Sequence, residues 1–165
     1  GDIHFLDILA QMGCAVDYRT DRITVHGPAQ LHGVDVDMNA VSDTAQTLAA
    51  IAPYADSPVT IRNVGHMRHK ETDRIAAIVA ELRRLGAAVD EFADGLRIEP
   101  SVLHAAEVQT YNDHRMAMAF AVTGLRTAGV VICDPACTQK TFPDYFTRFE
   151  TLYQHDQTSG QDQPR

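Results

Sequence analysis

The feature that most constrains this 165-residue sequence is that it repeats itself. The stretch AQMGCAVDYRTDRITVHGP aligns with RRLGAAVDEFADGLRIEP. Gly13 then matches Gly86, Asp21 matches Asp94 and Val25 matches Ile98, each pair 73 residues apart. Farther on, Asp43 matches Asp113 and Lys70 matches Lys140, each pair 70 apart, so the spacing from Asp to Lys is 27 residues in both copies. The stretches before the lysines, VTIRNV and VVICDP, also correspond. Self-similarity of this kind implies a supersecondary unit that shares a core with its own copy.

Each copy has a readable anatomy. Ile75, Ile78, Val79, Leu82 and Leu85 follow the i, i+3, i+4, i+7 rule of an amphipathic helix over 71–85, and Gly86 is placed to end it in a left-handed cap. Short alternating strands follow in AAVDEF and GLRIEP, joined through the turn dipeptide Asp94-Gly95. A second helix runs from Asp113 to about Leu125, and a strand, VVICD, comes next. The first copy gives a helix over 4–12, strands near 15–18 and 22–26, a helix over 43–52 closed by Pro53, and a strand over 59–64. Helices alternating with hairpin-like strands imply an α/β (α+β) domain with helices packed on sheets. Copy one spans about 1–70 and copy two about 71–153. The tail from Gln154, QHDQTSGQDQPR, is polar and aperiodic and is expected to be disordered.

Composition narrows the function. The apolar fraction of 45% is ordinary for a globular chain of this length, and no run approaches the 18 or so apolar residues of a membrane span. With 14 basic against 22 acidic side chains the net charge is −8, which argues against nucleic acid and anionic membranes as partners. A small anion needs only a local cluster of Arg and Lys. Cys14, Cys133 and Cys137 form no framework, so reduced thiols and a cytoplasmic or plastid-like compartment are expected. One C-x3-C pair, and the isolated His66 and His69, do not make a metal site. The chain lacks an initial Met and reads as a fragment or one piece of a longer chain.

Three stretches carry more charge than a helix start needs. In VSDTAQTLAA, Asp43 opens a helix, as an N-cap or as a base. In MRHKETDRIAAI, Lys70 and Arg74 share a helix face with Glu71 beside them, and in TYNDHRMAMAF, Asp113, His114 and Arg115 open another helix. Cations in a first turn oppose the helix dipole unless an anion binds there too. CTQKTFPDYF adds Lys140. Because related units place equivalent helix starts on equivalent faces, these groups can converge into an anion site with a carboxylate base beside it, largely exposed on one face. No nucleophile elbow, P-loop or dinucleotide fingerprint occurs.

The strings KETDRI, YNDHRMAMA and KTFPDY, with DMNAVSDTAQTLAAIA before them, closely resemble motifs of the 5-enolpyruvylshikimate-3-phosphate synthases, in order and from about Gly1 to Leu152. That family transfers the enolpyruvyl group of phosphoenolpyruvate to the 5-hydroxyl of shikimate 3-phosphate and releases phosphate, on the way to chorismate and the aromatic amino acids, and the resemblance implies a reaction with no redox cofactor and no metal. The resemblance implies the family's inside-out domain of β-α-β-α-β-β units, three per domain and two domains per enzyme, of which this chain covers about two units. It implies that Asp43 takes the hydroxyl proton and Glu71 serves proton transfer at the methylene. Lys70 and Asp43 would bind shikimate 3-phosphate, with His66 where the family often has Asn. Arg74, Arg115 and Lys140 would bind phosphoenolpyruvate, with Asp113 and His114 nearby. The missing N-terminal half of the enzyme is the implied partner. Two other readings remain: a binding or structural domain without catalysis, and a UDP-N-acetylglucosamine enolpyruvyl transferase relative.

Overall fold

The computed structural model describes residues 2–156, with side chains as far as Leu152. Two helices, α1 (Phe5–Gln11) and α3 (Arg74–Arg84), end in the same way. After α3 the N–H of Gly86 donates to Arg83 O at 3.0 Å and that of Ala87 to Leu82 O at 2.9 Å; after α1 Gly13 reaches Ala10 O and Cys14 reaches Leu9 O, both at 3.0 Å. This double bond pattern needs a left-handed residue at the turn. Gly13 and Gly86 supply it, with φ of +101° and +97°. The likeness persists into the loops, where the N–H groups of His32 and His104 donate to Met12 O and Leu85 O, each at 3.0 Å. The α3 stripe is as expected, with Ile75, Ile78, Val79 and Leu82 all buried.

The strands are β1 (Ala15–Tyr18), β2 (Ile23–His26), β3 (Asp35–Asp37), β4 (Val59–Arg62), β5 (Val89–Phe92), β6 (Gly95–Ile98), β7 (Ala106–Val108) and β8 (Val130–Ile132). The remaining helices are α2 (Ala45–Ile51), α4 (His114–Thr123) and α5 (Tyr145–Asp156). The strands make a hairpin β1-β2, a sheet in the order β3-β4-β6-β5, and a parallel pair β7-β8. Within the sheet β3 and β4 are parallel, while β6 runs antiparallel to both β4 and β5. The β5–β6 turn is Ala93-Asp94 rather than Asp94-Gly95, and Gly95 already pairs with Phe92. Its glycine answers a different need: a Cβ there would lie 2.2 Å from Ile61 O on the neighbouring strand.

The β-α-β-α-β-β order runs without interruption from Asp35 to Ile98, as β3, α2, β4, α3, β5 and β6. The period matches that of the sequence repeat, but this phase crosses residue 70. Before it stands α1-β1-β2 and after it β7-α4-β8-α5, the two parts of the same order. Small residues let α2 and α4 pack closely: Ala45 and Ala49 on α2 and Met116, Ala117 and Phe120 on α4 are all buried. Thr123 Oγ1 donates to Ala50 O and the Tyr54 hydroxyl bonds Thr127, which ties the two helix ends together. The tail expected from Gln154 starts inside α5, and residues 157–165 lie outside the described ones.

Candidate functional site

Asp43 was expected to open a helix. It lies instead in the 3₁₀ segment Asn39–Thr44, and α2 begins after it with no side-chain cap. Its side chain is taken by distant partners: Oδ1 accepts from Arg74 Nη1 at 3.2 Å and Oδ2 from Arg115 Nη2 at 2.9 Å. Arg115 Nη1 also donates to the Asp43 carbonyl at 2.8 Å. Asp113, at the matching point of the second copy, does cap its helix, accepting from the Arg115 N–H at 2.9 Å.

Lys70 and Arg74 do not share a helix face. Lys70 follows the 3₁₀ turn Gly65–His69 with an extended backbone, and α3 starts only at Arg74. Its cap is Asp73, whose carboxylate accepts from the Ala76 N–H at 3.0 Å and which the sequence reading did not single out. Starting the helix there drives the Arg74 side chain inward. Its Nε and Nη2 donate to the two oxygens of Asp113 at 2.7 and 3.2 Å, and Nη2 also reaches Glu71 Oε2 at 2.8 Å.

One guanidinium is therefore shared by Asp43, Glu71 and Asp113. This overturns the expectation that the group is largely exposed: Arg74 is 2% exposed, Asp113 0% and His114 7%. Burial of a guanidinium is tolerable when carboxylates meet most of its donors, and here they do. Lys70, Glu71 and Lys140 are exposed, while Asp43 and Arg115 are half-buried. Lys140 ends the 3₁₀ turn Pro135–Lys140, and among the described residues neither Lys70 nor Lys140 forms an ion pair. Three carboxylates thus face four cations, two of which are free to meet an anion.

Asp43, Lys70, Glu71, Arg74, His114 and Arg115 line a cavity of about 140 Å³. A second cavity, about 320 Å³, shares Glu71 and His114 with the first and adds Asn112, Ala136, Cys137 and Lys140. The first is smaller than a complete small-molecule site of roughly 300–1,000 Å³, and the second is at its lower end. His66 lines neither; its Nε2 pairs with Ser42 Oγ at 2.8 Å, next to Asp43 in the chain. Asn112 stood in the YNDHR string without a role assigned to it. Cys137 enters the sequence reading only as a reduced thiol and as half of an isolated C-x3-C pair. Burial pushes its thiol pKa up, the Thr110 hydroxyl lowers it, and Asp134 and Asp113 raise it further. Among the described residues no group of three His, Cys, Asp or Glu side chains is arranged to hold a metal ion, and no helix is long and apolar enough to cross a membrane.

Residues 1–149 match the family model of EPSP synthase (3-phosphoshikimate 1-carboxyvinyltransferase). The chain is 66% identical over 149 residues to the 3-phosphoshikimate 1-carboxyvinyltransferase of Trichormus variabilis, covering 90% of this chain and 35% of that protein. It spans about a third of the length of the curated relatives it matches. Among solved structures it superposes on the EPSP synthase of Acinetobacter baumannii with a TM-score of 0.81 at 25% identity, covering 88% of this chain and 38% of that one. The enolpyruvyl transferase NikO of Streptomyces tendae, at 21% identity, shares the fold with a TM-score of 0.74, over 92% of this chain and 35% of that one.

Proposed function

The chain belongs to the EPSP synthase family, and we propose that it supplies one wall of an active site that moves the enolpyruvyl group of phosphoenolpyruvate onto the 5-hydroxyl of shikimate 3-phosphate. The observation that carries this reading is the sharing of the Arg74 guanidinium by Asp43 and Glu71 beside two unpaired lysines. Phosphoenolpyruvate brings a carboxylate and a phosphate. Guanidiniums suit both as bidentate partners, and lysines suit the phosphate as point charges. Arg115, Lys140 and Arg74 take this ligand. Arg74 keeps its Asp113 contacts and yields those to Asp43 and Glu71, the more exposed of its three carboxylates.

Addition and elimination need a base at the hydroxyl and an acid at the methylene carbon, so two carboxyl groups are required in distinct settings. Asp43, oriented by Arg115 through its side chain and backbone, accepts the hydroxyl proton as the oxygen attacks the substituted carbon. Glu71, at the junction of the two cavities, gives a proton to the methylene and later regains one as phosphate leaves. Lys70 holds shikimate 3-phosphate with Asp43, and His66 contributes by fixing Ser42 beside it. Asp113 supports this wall from behind through Arg74, and His114 stands in the wall itself, lining both cavities.

We assign residues 1–153 to one domain of the enzyme. The opposite wall, and the strands that complete this domain, come from the remainder of a longer chain or a separate one. Support comes from the shared third of the relatives' length and from exposed apolar residues on β2 and β8, strands that each have one open edge among the described residues. A cytoplasmic setting agrees with three unpaired thiols.

The test replaces the matching segment of the Trichormus variabilis enzyme by residues 1–149 and measures phosphate release from the two substrates. The chimera turns over and this chain alone does not. In the chimera Asp43→Asn lowers the rate by roughly 10²–10⁴. Lys140→Met weakens phosphoenolpyruvate binding by about 1.5–3 kcal/mol, roughly 10- to 150-fold. An active chimera indifferent to both substitutions would refute these roles.

A further inference from the structure

Glu81 is a buried carboxylate that the proposed chemistry does not use. It lies on α3, 0% exposed, among Ile78 and Leu82. A charge in an apolar interior is unfavourable unless donors surround it. Three do: the Tyr111 hydroxyl donates to Oε1 at 2.7 Å, and the Gln109 N–H and Arg84 Nε each donate to Oε2 at 3.0 Å. Two of the three come from one short segment, the one that delivers Asp113, His114 and Arg115.

That segment has an unusual backbone. Tyr111 and Asn112 stand in succession in the left-handed region, with φ of +56° and +54°. Non-glycine residues persist there only where their surroundings over-determine the geometry. Glu81 supplies that restraint from both sides of the bend's first half, through the Gln109 backbone and the Tyr111 ring tip. The phenol keeps its proton for this bond, since burial, and then Glu81 itself, push its pKa to about 12.

The repeat provides an internal comparison. The residue 73 positions before Glu81 is Ile8, a core isoleucine, and 70 before Tyr111 is Val41, buried with φ of −132°. The first copy therefore builds the corresponding helix and turn with apolar side chains and no left-handed pair. The fold does not require a carboxylate at this position, and what differs in the second copy is the outcome of the bend. Asp113 caps α4 there and turns both oxygens onto Arg74, whereas Asp43 caps nothing.

We propose that Glu81 is a positioning residue for the anion-binding wall, holding Gln109–Asn112 in the bend that aims Asp113, His114 and Arg115 at Arg74 and Asp43. This rests on the active-site reading above. The experiment follows the Arg74 Nε–H signal of the 165-residue chain by NMR, with thermal unfolding measured alongside. Glu81→Gln keeps the shape but cannot accept from all three donors. It is expected to speed exchange of the Arg74 Nε–H by about tenfold, the scale of one buried hydrogen bond. Arg84→Ala removes the outer contact alone and should leave that rate within about twofold. If Glu81→Gln does not fold, Tyr111→Phe removes only one donor and should speed exchange by about threefold, a milder form of the same loss. The proposal is overturned if the folded variants lose melting temperature but keep the wild-type exchange rate at Arg74, or if Arg84→Ala matches Glu81→Gln. Phosphoenolpyruvate titrated into the chimera that carries residues 1–149 keeps the two readings apart. An unmoved Arg115 signal would count against the active-site reading alone, because Arg74 exchange is read without ligand.

Discussion

Asp43 and Asp113 stand 70 residues apart at matching points of the repeat, yet only Asp113 caps a helix. Local sequence rules could not separate them. Asp before a helical run is a good cap wherever it occurs, and what claims Asp43 is a pair of guanidiniums 31 and 72 residues away. The repeat made the convergence legible, since it put both Asp-bearing turns and both lysines on one side. It could not reveal burial, because whether an Arg is desolvated depends on how many carboxylates reach it. That dependence makes a stability prediction. Asp113→Ala leaves the Arg74 charge buried without its main partner and should destabilise the chain by about 3–5 kcal/mol in urea unfolding. Asp43→Ala removes a half-exposed carboxylate and leaves Arg74 paired with Asp113 and Glu71, so it should cost less, about 1 kcal/mol. Equal small effects would mean that Arg74 finds water or another carboxylate. Gln46 offers the opposite case. It is buried with neither amide atom bonded, so Gln46→Met, of similar size, should stabilise by about 1 kcal/mol.

At the scale of elements, the sequence located α1, α3, α4 and the hairpins within a few residues, because periodicity and glycine punctuation report on local geometry. Its errors fell at helix starts, where 3₁₀ turns precede α2 and α3 and the true cap of α3 is Asp73, and at β3, β7 and α5, which it did not contain. Lys70, Glu71 and Thr72 are as helix-compatible as the first residues of α3 itself, so composition carried no boundary. Asp73 is bonded to the Ala76 N–H and to Arg68, which reaches across to Glu91 and so also ties this turn to β5. Removal of the cap by Asp73→Ala should lower stability by about 1 kcal/mol, or roughly 2–4 °C in melting temperature for a chain of this length. Burial acts to raise the Asp73 pKa, but the Ala76 N–H and the Arg68 guanidinium outweigh it and hold the carboxyl below its ordinary 3.8. The folded value being the lower one, the contribution is complete above about 3.8 and fades as pH falls through the folded value. The gap between wild type and Asp73→Ala should therefore close on acidification from pH 5 to about pH 2. A gap that stays constant would place the effect in helix propensity rather than in the charged cap.

At the scale of the molecule, the complete β-α-β-α-β-β stretch shows what the flanking parts lack. In it β6 pairs with β4, matching Val59 to Ile98, Thr60 to Arg97 and Ile61 to Leu96, and Leu96 and Ile98 are fully buried. The counterparts of β6 and β4 are β2 and β8, and among the described residues neither has a partner on that edge. Ile23 and Val25, which correspond to Leu96 and Ile98, are accordingly 42% and 40% exposed, and Val131 on β8 is 53% exposed. Unpaired apolar edges recruit strands. Each edge here is the complement of the other, so a second copy can supply what the first lacks. The chain in isolation should therefore associate head to tail, hairpin β1-β2 of one copy adding to β8 of the next. The β4–β6 pairing fixes the register: Val130 opposite Val25, Val131 opposite Thr24 and Ile132 opposite Ile23. Such a contact is heterologous, so sedimentation should show a concentration-dependent ladder rather than a dimer alone. Val25→Lys should abolish it without lowering the melting temperature of the monomer, since a lysine on an open edge meets only water. With Cys14, Cys133 and Cys137 replaced by serine, Thr24→Cys combined with Val131→Cys should crosslink copies under mild oxidation. Thr24→Cys with Val130→Cys, one residue out of register, should not. Addition of the remaining two-thirds of the Trichormus variabilis enzyme should suppress the ladder, because its strands compete for the same edges. A chain monomeric at all concentrations, with Ile23 and Val25 still exposed to solvent, would show that the two edges are too short to pair without the helices that accompany them in the complete unit.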